Sequence, residues 1–233
     1  MIKSCAVLQS NYLPWRGYFD LINDVDLFVF YDEVQYTTFD WRNRNKIYTK
    51  DGVQWITLPC GRDRKRTIAE VKISSDVDWQ KKHFDLISEA YKKAPFFTKF
   101  KPFLEHIYLE QKWIYLSEFN QYMIKYISQD ILGIDTAFAR SKDFISTGQK
   151  GDKMLSLVLN IGAKNYLSGP SAKDYLNEYD FNTNGINVIW KDYSGYPEYK
   201  QTQEPFEGSL SIIDLLFNTG DDAAYYIWGW RSN

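Results

Sequence analysis

The stretch Ile2–Tyr31, IKSCAVLQSNYLPWRGYFDLINDVDLFVFY, decides the fold. Its first apolar run, Ile2 to Leu8, has the length of a buried strand and is broken by the polar Gln9-Ser10-Asn11 and by Pro14. Gly17 to Ile22 then supplies Tyr18, Phe19, Leu21 and Ile22 for a helix, and Asn23-Asp24 separates it from a second strand-length run, Leu27 to Tyr31. Strand, loop, helix and strand thus follow one another within about 30 residues. Parallel strands need such a crossover, so the opening predicts an α/β core, a mainly parallel sheet with helices on both faces, rather than a β-sandwich.

Downstream, Lys50-Asp51-Gly52 offers a hairpin turn between Lys46-Ile47-Tyr48 and Trp55 to Leu58, and Ala69 to Ile73 reads as a further strand. Asp76 to Asp78 can cap a long helix carrying Trp79, Phe84, Leu86, Ile87 and Tyr91, stopped by Pro95. Thr98 to Leu109 and Ser117 to Leu132 repeat that spacing, the second ending at Gly133. Thr136 to Arg140, Asn165 to Leu167 and Ile186 to Trp190 read as strands; Gly151 to Ile161, a short segment near Ala172 to Leu176, and Ser209 to Asn218 read as helices. The expected organisation is one unit over residues 1–233 with a helical insertion at about residues 77–132.

Composition narrows the classes. The 233 residues carry 28 basic and 30 acidic side chains, a net charge of −2, with 44% hydrophobic residues, which excludes disordered, collagenous and low-complexity chains. No run approaches the roughly 18 apolar residues of a membrane span, and Gln9 and Asn11 interrupt any signal-peptide core, so a cytoplasmic protein is expected. Cys5 and Cys60 are too few for a disulfide framework, and with His83 and His106 alone no structural metal site is expected. Both histidines fall on positions that look like helix surface. The 8 Trp, 18 Tyr and 15 Phe suit sugars and bases, and equally suit a large rigid core.

Several constellations could carry chemistry. Gln9, Asn11, Tyr12, Trp15, Gly17 and Tyr18 cluster where the first strand ends and a helix begins, a favoured ligand position in parallel sheets; the alternative is a buried turn. Asp32 and Glu33, followed by Gln35 and Tyr36, come after the second strand on the same rim, where a carboxylate can act as base or hold Mg²⁺, or simply be solvated. Trp41, Arg42, Asn43, Arg44 and Asn45 combine phosphate-binding cations with amides, or form a surface charge cluster. Ser168, Gly169, Ser171 and Lys173 occupy a later strand end, where Ser171 can cap a helix. Arg62-Asp63-Arg64-Lys65-Arg66 reads as a solvated loop, so no nucleic-acid partner is expected. No nucleophile with a paired base stands out.

The runs Gln9 to Ile22, Asp32 to Tyr36, Trp41 to Asn45, Tyr166 to Ser171 and Ser211 to Asn218 resemble the WbqC-like protein family over nearly the whole chain. Ser10 departs from the Pro that the family more often carries. Genes of that family occur in bacterial surface-polysaccharide and O-antigen clusters, and some members are labelled as glycine transferases acting on amino sugars. A remoter similarity links Leu13 to Tyr18 to the nucleotidyltransferase and class I synthetase fold, a Rossmann-like core. Of that fold's His-x-Gly-His motif only Gly17 matches; Trp15 and Tyr18 stand where it has histidines. The resemblance implies an enzyme attaching an acyl or aminoacyl group, glycine for example, to an amino sugar linked to a nucleotide, with ATP and Mg²⁺ activating the carboxyl on one route. Asp32 and Tyr18 would be catalytic; Arg42, Arg44 and Lys173 would bind phosphates, cradled by Gly17; and Trp15, Tyr18 and Trp41 would form stacking walls. Two rival expectations are a glycosyltransferase or other nucleotide-sugar enzyme of the same pathway, and a non-catalytic scaffold of the polysaccharide machinery.

Overall fold

The computed structural model describes residues 2–232. Its centre is a five-stranded parallel sheet built from β1 (Ser4–Leu8), β2 (Leu27–Phe30), β5 (Ala137–Arg140), β6 (Asn165–Ser168) and β7 (Asn187–Trp190), in the order β5-β2-β1-β6-β7. The three inner strands β2, β1 and β6 are buried on both faces and read as continuous apolar runs, while the edge strands β5 and β7 remain partly exposed. Ala6, Phe28, Phe138 and Leu167 are registered across four strands and lie under α1 (Arg16–Asn23). Cys5, Val7, Leu27, Val29 and Tyr166 point the other way, onto α5 (Lys150–Ile161) and α6 (Glu178–Thr183).

Right-handed crossovers explain that division. The chain lays β2 and then β5 to one side of β1, and α5 carries it back across to start β6 on β1's other side. The direction of travel reverses, and the helices therefore change face. The reversal falls between β1 and β6, leaving a crevice outside their carboxyl ends.

Between β2 and β5 the chain inserts the antiparallel hairpin β3 (Arg44–Thr49) and β4 (Gly52–Thr57), followed by α2 (Trp79–Tyr91), α3 (Phe97–Glu105) and α4 (Leu116–Tyr126). Asp78 caps α2 by accepting from the Lys81 N–H at 3.2 Å, and α3 and α4 each run on into a π-helical turn. Burial of one face of each helix against the Ala6–Phe28–Phe30 side of the sheet forms the larger of two cores. After β7 a long irregular segment leads to α7 (Ile212–Thr219) and α8 (Ala223–Ile227). No described helix is long and apolar enough to cross a membrane.

Three expectations need correction. Ala69 to Ile73 is not a strand: Ile68–Glu70 is a 3₁₀ turn closed by a capping box, in which Glu70 accepts from the Thr67 N–H and hydroxyl, both at 2.8 Å. Its buried Ile68 and Val71 stand three apart, the period of a turn and not of a strand. The helix expected near Ala172 to Leu176 is a 3₁₀ turn over Pro170–Asp174 with Gly169 at its start, so Ser171 caps nothing. The helix there is α6, capped by Asn177 through the Tyr179 N–H at 3.2 Å, and it was not read from the sequence, nor was α8. Finally, His83 is not on the surface: it is 7% exposed and inside the core.

Candidate functional site

The loop leaving β1 has a backbone shape it cannot hold alone. Leu13 sits at φ +44°, a left-handed conformation that costs a branched residue roughly 1–2 kcal/mol. Two distant segments hold it. The Asn45 amide donates to the Leu13 and Tyr12 carbonyls at 2.6 and 3.2 Å, and the Ile212 N–H at the start of α7 donates to the Pro14 carbonyl at 2.9 Å. The Tyr12 hydroxyl lies 2.7 Å from the Tyr108 hydroxyl and 2.8 Å from His83 Nδ1. Burial pushes the His83 imidazole down to about 4, so the ring is neutral at pH 7 and its tautomer sets whether Nδ1 accepts from or donates to the Tyr12 hydroxyl.

Trp15 lies flat across the first turn of α1. A Cβ on Gly17 would stand 2.3 Å from the Trp15 ring, so only glycine admits the indole there. Tyr193 and Tyr196 back the same indole, with ring centroids 5.3 and 5.9 Å away. Gly17→Ala gains about 1 kcal/mol of helix propensity but forces the indole aside at about 1–3 kcal/mol. The variant is therefore expected to melt lower and to change its near-ultraviolet circular dichroism; an unchanged aromatic spectrum would show that Trp15 is not seated on Gly17.

On the other side of Trp15 opens a cleft of about 310 Å³ lined by Asn11, Pro14, Trp15, Trp41, Asn45 and Ser209. Two indoles, the Asn11 amide and the Ser209 hydroxyl are a wall chemistry suited to a ring bearing hydroxyls, the Asn45 amide being spent on the backbone. Arg42 braces the cleft from behind: its Nη1 donates to Asn11 Oδ1, and its Nη2 is 3.7 Å from Asp40. Arg44 stacks over Trp55, with its guanidinium carbon 4.1 Å from the ring centroid.

A second cleft, about 430 Å³, lies beyond the ends of β2 and β5 against α4. Asp32, Glu33, Lys72, Tyr115, Gln121 and Arg140 are among its walls. Asp32 is 1% exposed; its Oδ1 accepts from the Ser10 N–H and its Oδ2 from Gln121 Nε2, each at 2.8 Å. Burial raises its pKa above the ordinary carboxylate value, and these hydrogen bonds only partly oppose the rise. The Ser10–Asn11 segment is common to both clefts, Asn11 lining the first and the Ser10 N–H bonding Asp32 of the second, and Asn120 ties it to the neighbouring loop by donating to the Ser10 and Arg42 carbonyls at 3.4 and 2.8 Å. Among the described residues no group of three or more His, Cys, Asp or Glu side chains is gathered as a metal site.

The residues singled out in the sequence therefore divide. Asn11, Trp15, Trp41 and Asn45 meet in the first cleft, with Gly17 beneath and Arg42 behind, and Asp32 lines the second. Tyr18 forms no stacking wall: it is 2% exposed, its hydroxyl donates to the Gln9 carbonyl at 2.9 Å, and burial drives its pKa well above the usual phenol value. Tyr12, Tyr36 and Asn43 are buried scaffolding, Asn43 donating to the Leu58 carbonyl at 3.1 Å. Gln35 is exposed and donates to the Arg64 carbonyl at 3.1 Å. The later motif lines neither cleft. Tyr193 stands between Gly169 and Trp15, Ser168 is buried, Ser171 is exposed, and the Lys173 ammonium lies 5.3 Å from the Trp190 ring centroid, beside β7.

Sequence reading missed Ser209, Gln121, Lys72 and Arg140. Ser209 lies two residues before Ser211, the α7 N-cap that accepts from the Ile213 N–H at 3.3 Å, so the helix start was visible while its spatial neighbour was not. Gln121 is one polar residue within a helix, and no local signal marks it as the partner of Asp32.

No solved structure matches the chain. An uncharacterized protein of Mycobacterium tuberculosis (strain ATCC 25618 / H37Rv), Rv1507c, is 43% identical over 229 residues, covering 97% of this chain and 98% of its own length. Residues 9–226 match the model of the WbqC-like protein family, a span that begins at the loop leaving β1 and takes in both clefts, and the chain belongs to that family.

Proposed function

We propose that the protein is an enzyme of bacterial surface-polysaccharide biosynthesis that joins an acyl or aminoacyl group, such as glycine, to the amino group of a nucleotide-linked amino sugar. The observation that carries this reading is Asp32, a buried carboxylate of raised pKa fixed by two hydrogen bonds at the rim of a parallel sheet. An amine nucleophile arrives as an ammonium and must first lose a proton. A carboxylate that burial has made more basic is a better acceptor for it. The ammonium gives one proton to Asp32, the freed nitrogen lone pair attacks the activated carbonyl carbon, and a C–N bond forms. The bond from that carbon to its leaving group breaks, the electron pair departs with the leaving group, and the nitrogen's second proton goes with it.

In the charged cleft Lys72, Arg140 and Lys142 face the carboxylates of Asp32, Glu33, Glu70 and Glu118, a mixture that suits a phosphate-bearing activating partner carried with a divalent cation rather than a bare anion. ATP with Mg²⁺ would supply carboxyl activation there, with Glu33 as a lone carboxylate partner of an ion carried mainly by phosphate oxygens, which leaves Asp32 for the proton. The test is incubation with a uridine-diphosphate-linked amino sugar, radiolabelled glycine, ATP and Mg²⁺. The expected product is the sugar nucleotide enlarged by one glycyl group. Consumption of the sugar nucleotide with no carboxylic acid present would move the protein to the glycosyltransferases, and no conversion of any combination would leave the scaffold reading.

A further inference from the structure

A cleft of about 310 Å³ is at the lower end of sites that enclose a drug-sized ligand. A sugar carrying ribose, base and diphosphate extends beyond it. The exit leads over Trp41, 41% exposed, whose ring centroid is 5.4 Å from that of Trp55. Trp55 stands on the outer face of the hairpin, paired in register with Lys46. Rings and cations alternate across this face. The Arg44 guanidinium carbon is 4.1 Å from Trp55 and 5.5 Å from Phe39, Lys46 Nζ is 5.6 Å from Trp55, and the Arg62 guanidinium carbon is 5.5 Å from Phe39.

Among the described residues none of these cations has a carboxylate oxygen within 4 Å, and Asp40 and Glu207 feel Arg44 and Lys46 only at longer range. Among the described residues Arg44 makes no ion pair, and its buried Nε has no hydrogen-bond partner. Lys46 Nζ reaches only Ser209 Oγ, at 3.4 Å, and Ser209 itself lines the cleft. Platform and cleft are thus continuous at two points, Trp41 and the Lys46–Ser209 contact. An aromatic face flanked by cations accepts a stacked base and its phosphates. The patch offers room for one ring system, and a chain of net charge −2 lacks the extended basic field of a nucleic-acid footprint.

We propose that the outer face of the β3–β4 hairpin is the subsite for the nucleoside diphosphate half of the substrate. The base stacks on Trp41 and, in place of the Arg44 guanidinium that covers it, on Trp55, and the displaced Arg44 and Lys46 meet the diphosphate. This subsite rests on the reading of the neighbouring cleft as a sugar site. Its test needs no acyl donor: calorimetric titration of the intact protein with uridine, guanosine and adenosine diphosphates and with inorganic pyrophosphate. Trp55→Ala is expected to weaken the best nucleoside diphosphate about 10-fold or more, with Trp55→Phe recovering most of the loss. Pyrophosphate binding should change less than about twofold in Trp55→Ala and fall clearly in Arg44→Ala, because only the cation faces phosphate. Both side chains reach solvent, and melting curves verify that the variants fold. Nucleoside diphosphate affinity indifferent to Trp55→Ala and Arg44→Ala, no binding at millimolar concentration, or tighter binding of a single-stranded oligonucleotide through the same residues would overturn the assignment. Binding lost with Trp55 while no glycyl transfer is found would retain the subsite and reject the reaction.

Discussion

Asp32→Asn is expected to slow glycyl transfer by about 10²–10⁴-fold, the range that a lost general base removes, with the fold intact. Asparagine keeps the shape. Its oxygen can still accept from the Ser10 N–H, and Gln121 can turn its amide to meet the new NH₂. A neutral side chain also escapes the cost of burying charge, so the melting temperature should hold or rise. The pH dependence follows from the raised pKa. The basic form appears at higher pH than for an ordinary carboxylate, so the parent rate should climb with pH through that raised value, and the Asn variant should show no such limb. The stability contribution has the opposite sense: with the folded pKa above the unfolded one, it is full below the unfolded value of about 3.9 and is lost as pH rises through the folded value. Turnover of Asp32→Asn within about tenfold of the parent would remove Asp32 from the mechanism.

The largest loss of stability is expected at Asp20, on α1 behind Trp15. This carboxylate is fully buried and accepts from Arg231 Nη1 and Nη2 at 2.7 and 2.8 Å and from the Tyr196 hydroxyl, with Lys191 Nζ at 2.8 Å. Lys191 is itself 4% exposed and is otherwise paired with Asp24 at 2.5 Å. Removing one member of a buried ionic cluster leaves the others desolvated and uncompensated, a cost of about 3–5 kcal/mol. Asp20→Ala should therefore melt about 10 °C lower. Arg231→Ala should cost less, since Asp20 keeps Lys191 and water can reach the space vacated. The two melting curves decide it: a smaller drop for Asp20→Ala than for Arg231→Ala would show that the cluster is not centred on Asp20. Because Tyr196 backs Trp15, Asp20→Ala should also loosen ligand binding in the first cleft.

The parallel core was legible because its inner strands are buried on both faces and read as unbroken apolar runs. Leu27–Phe30 needs no partner to be recognised. The hairpin turn and the Asp78 cap were legible for a similar reason, since local chemistry fixes them. Where spacing alone was the guide, tertiary packing overrode it. Ile68, Val71 and Ile73 are buried by a turn docking on the helices, yet in sequence they pass for a strand. The site split along the same line. Asn11, Trp15 and Asp32 sit at strand ends, where the topology points them to the rim. Tyr18 and Tyr36 differ from wall-forming aromatics only in what lies above them, and His83 is buried because Tyr12 and Tyr108 come from other segments to cover it. Lys173 lay on the correct rim but on the far side of Tyr193, a separation no one-dimensional pattern encodes.

The left-handed turn at Leu13 has a consequence for how the protein comes into being. The amide that props it comes from Asn45 and the neighbouring carbonyl is met by Ile212, in the last quarter of the chain. During synthesis β1 and α1 emerge long before α7 exists, and their loop is then free to relax to ordinary backbone angles. Binding competence thus arrives as a late event of translation: the nascent chain carries every aromatic wall of the first cleft, but the wall geometry waits for residues made at the end. Ribosome-bound chains halted before Ile212 should be blind to the ligand, and competence should switch on over the short stretch of synthesis that completes α7.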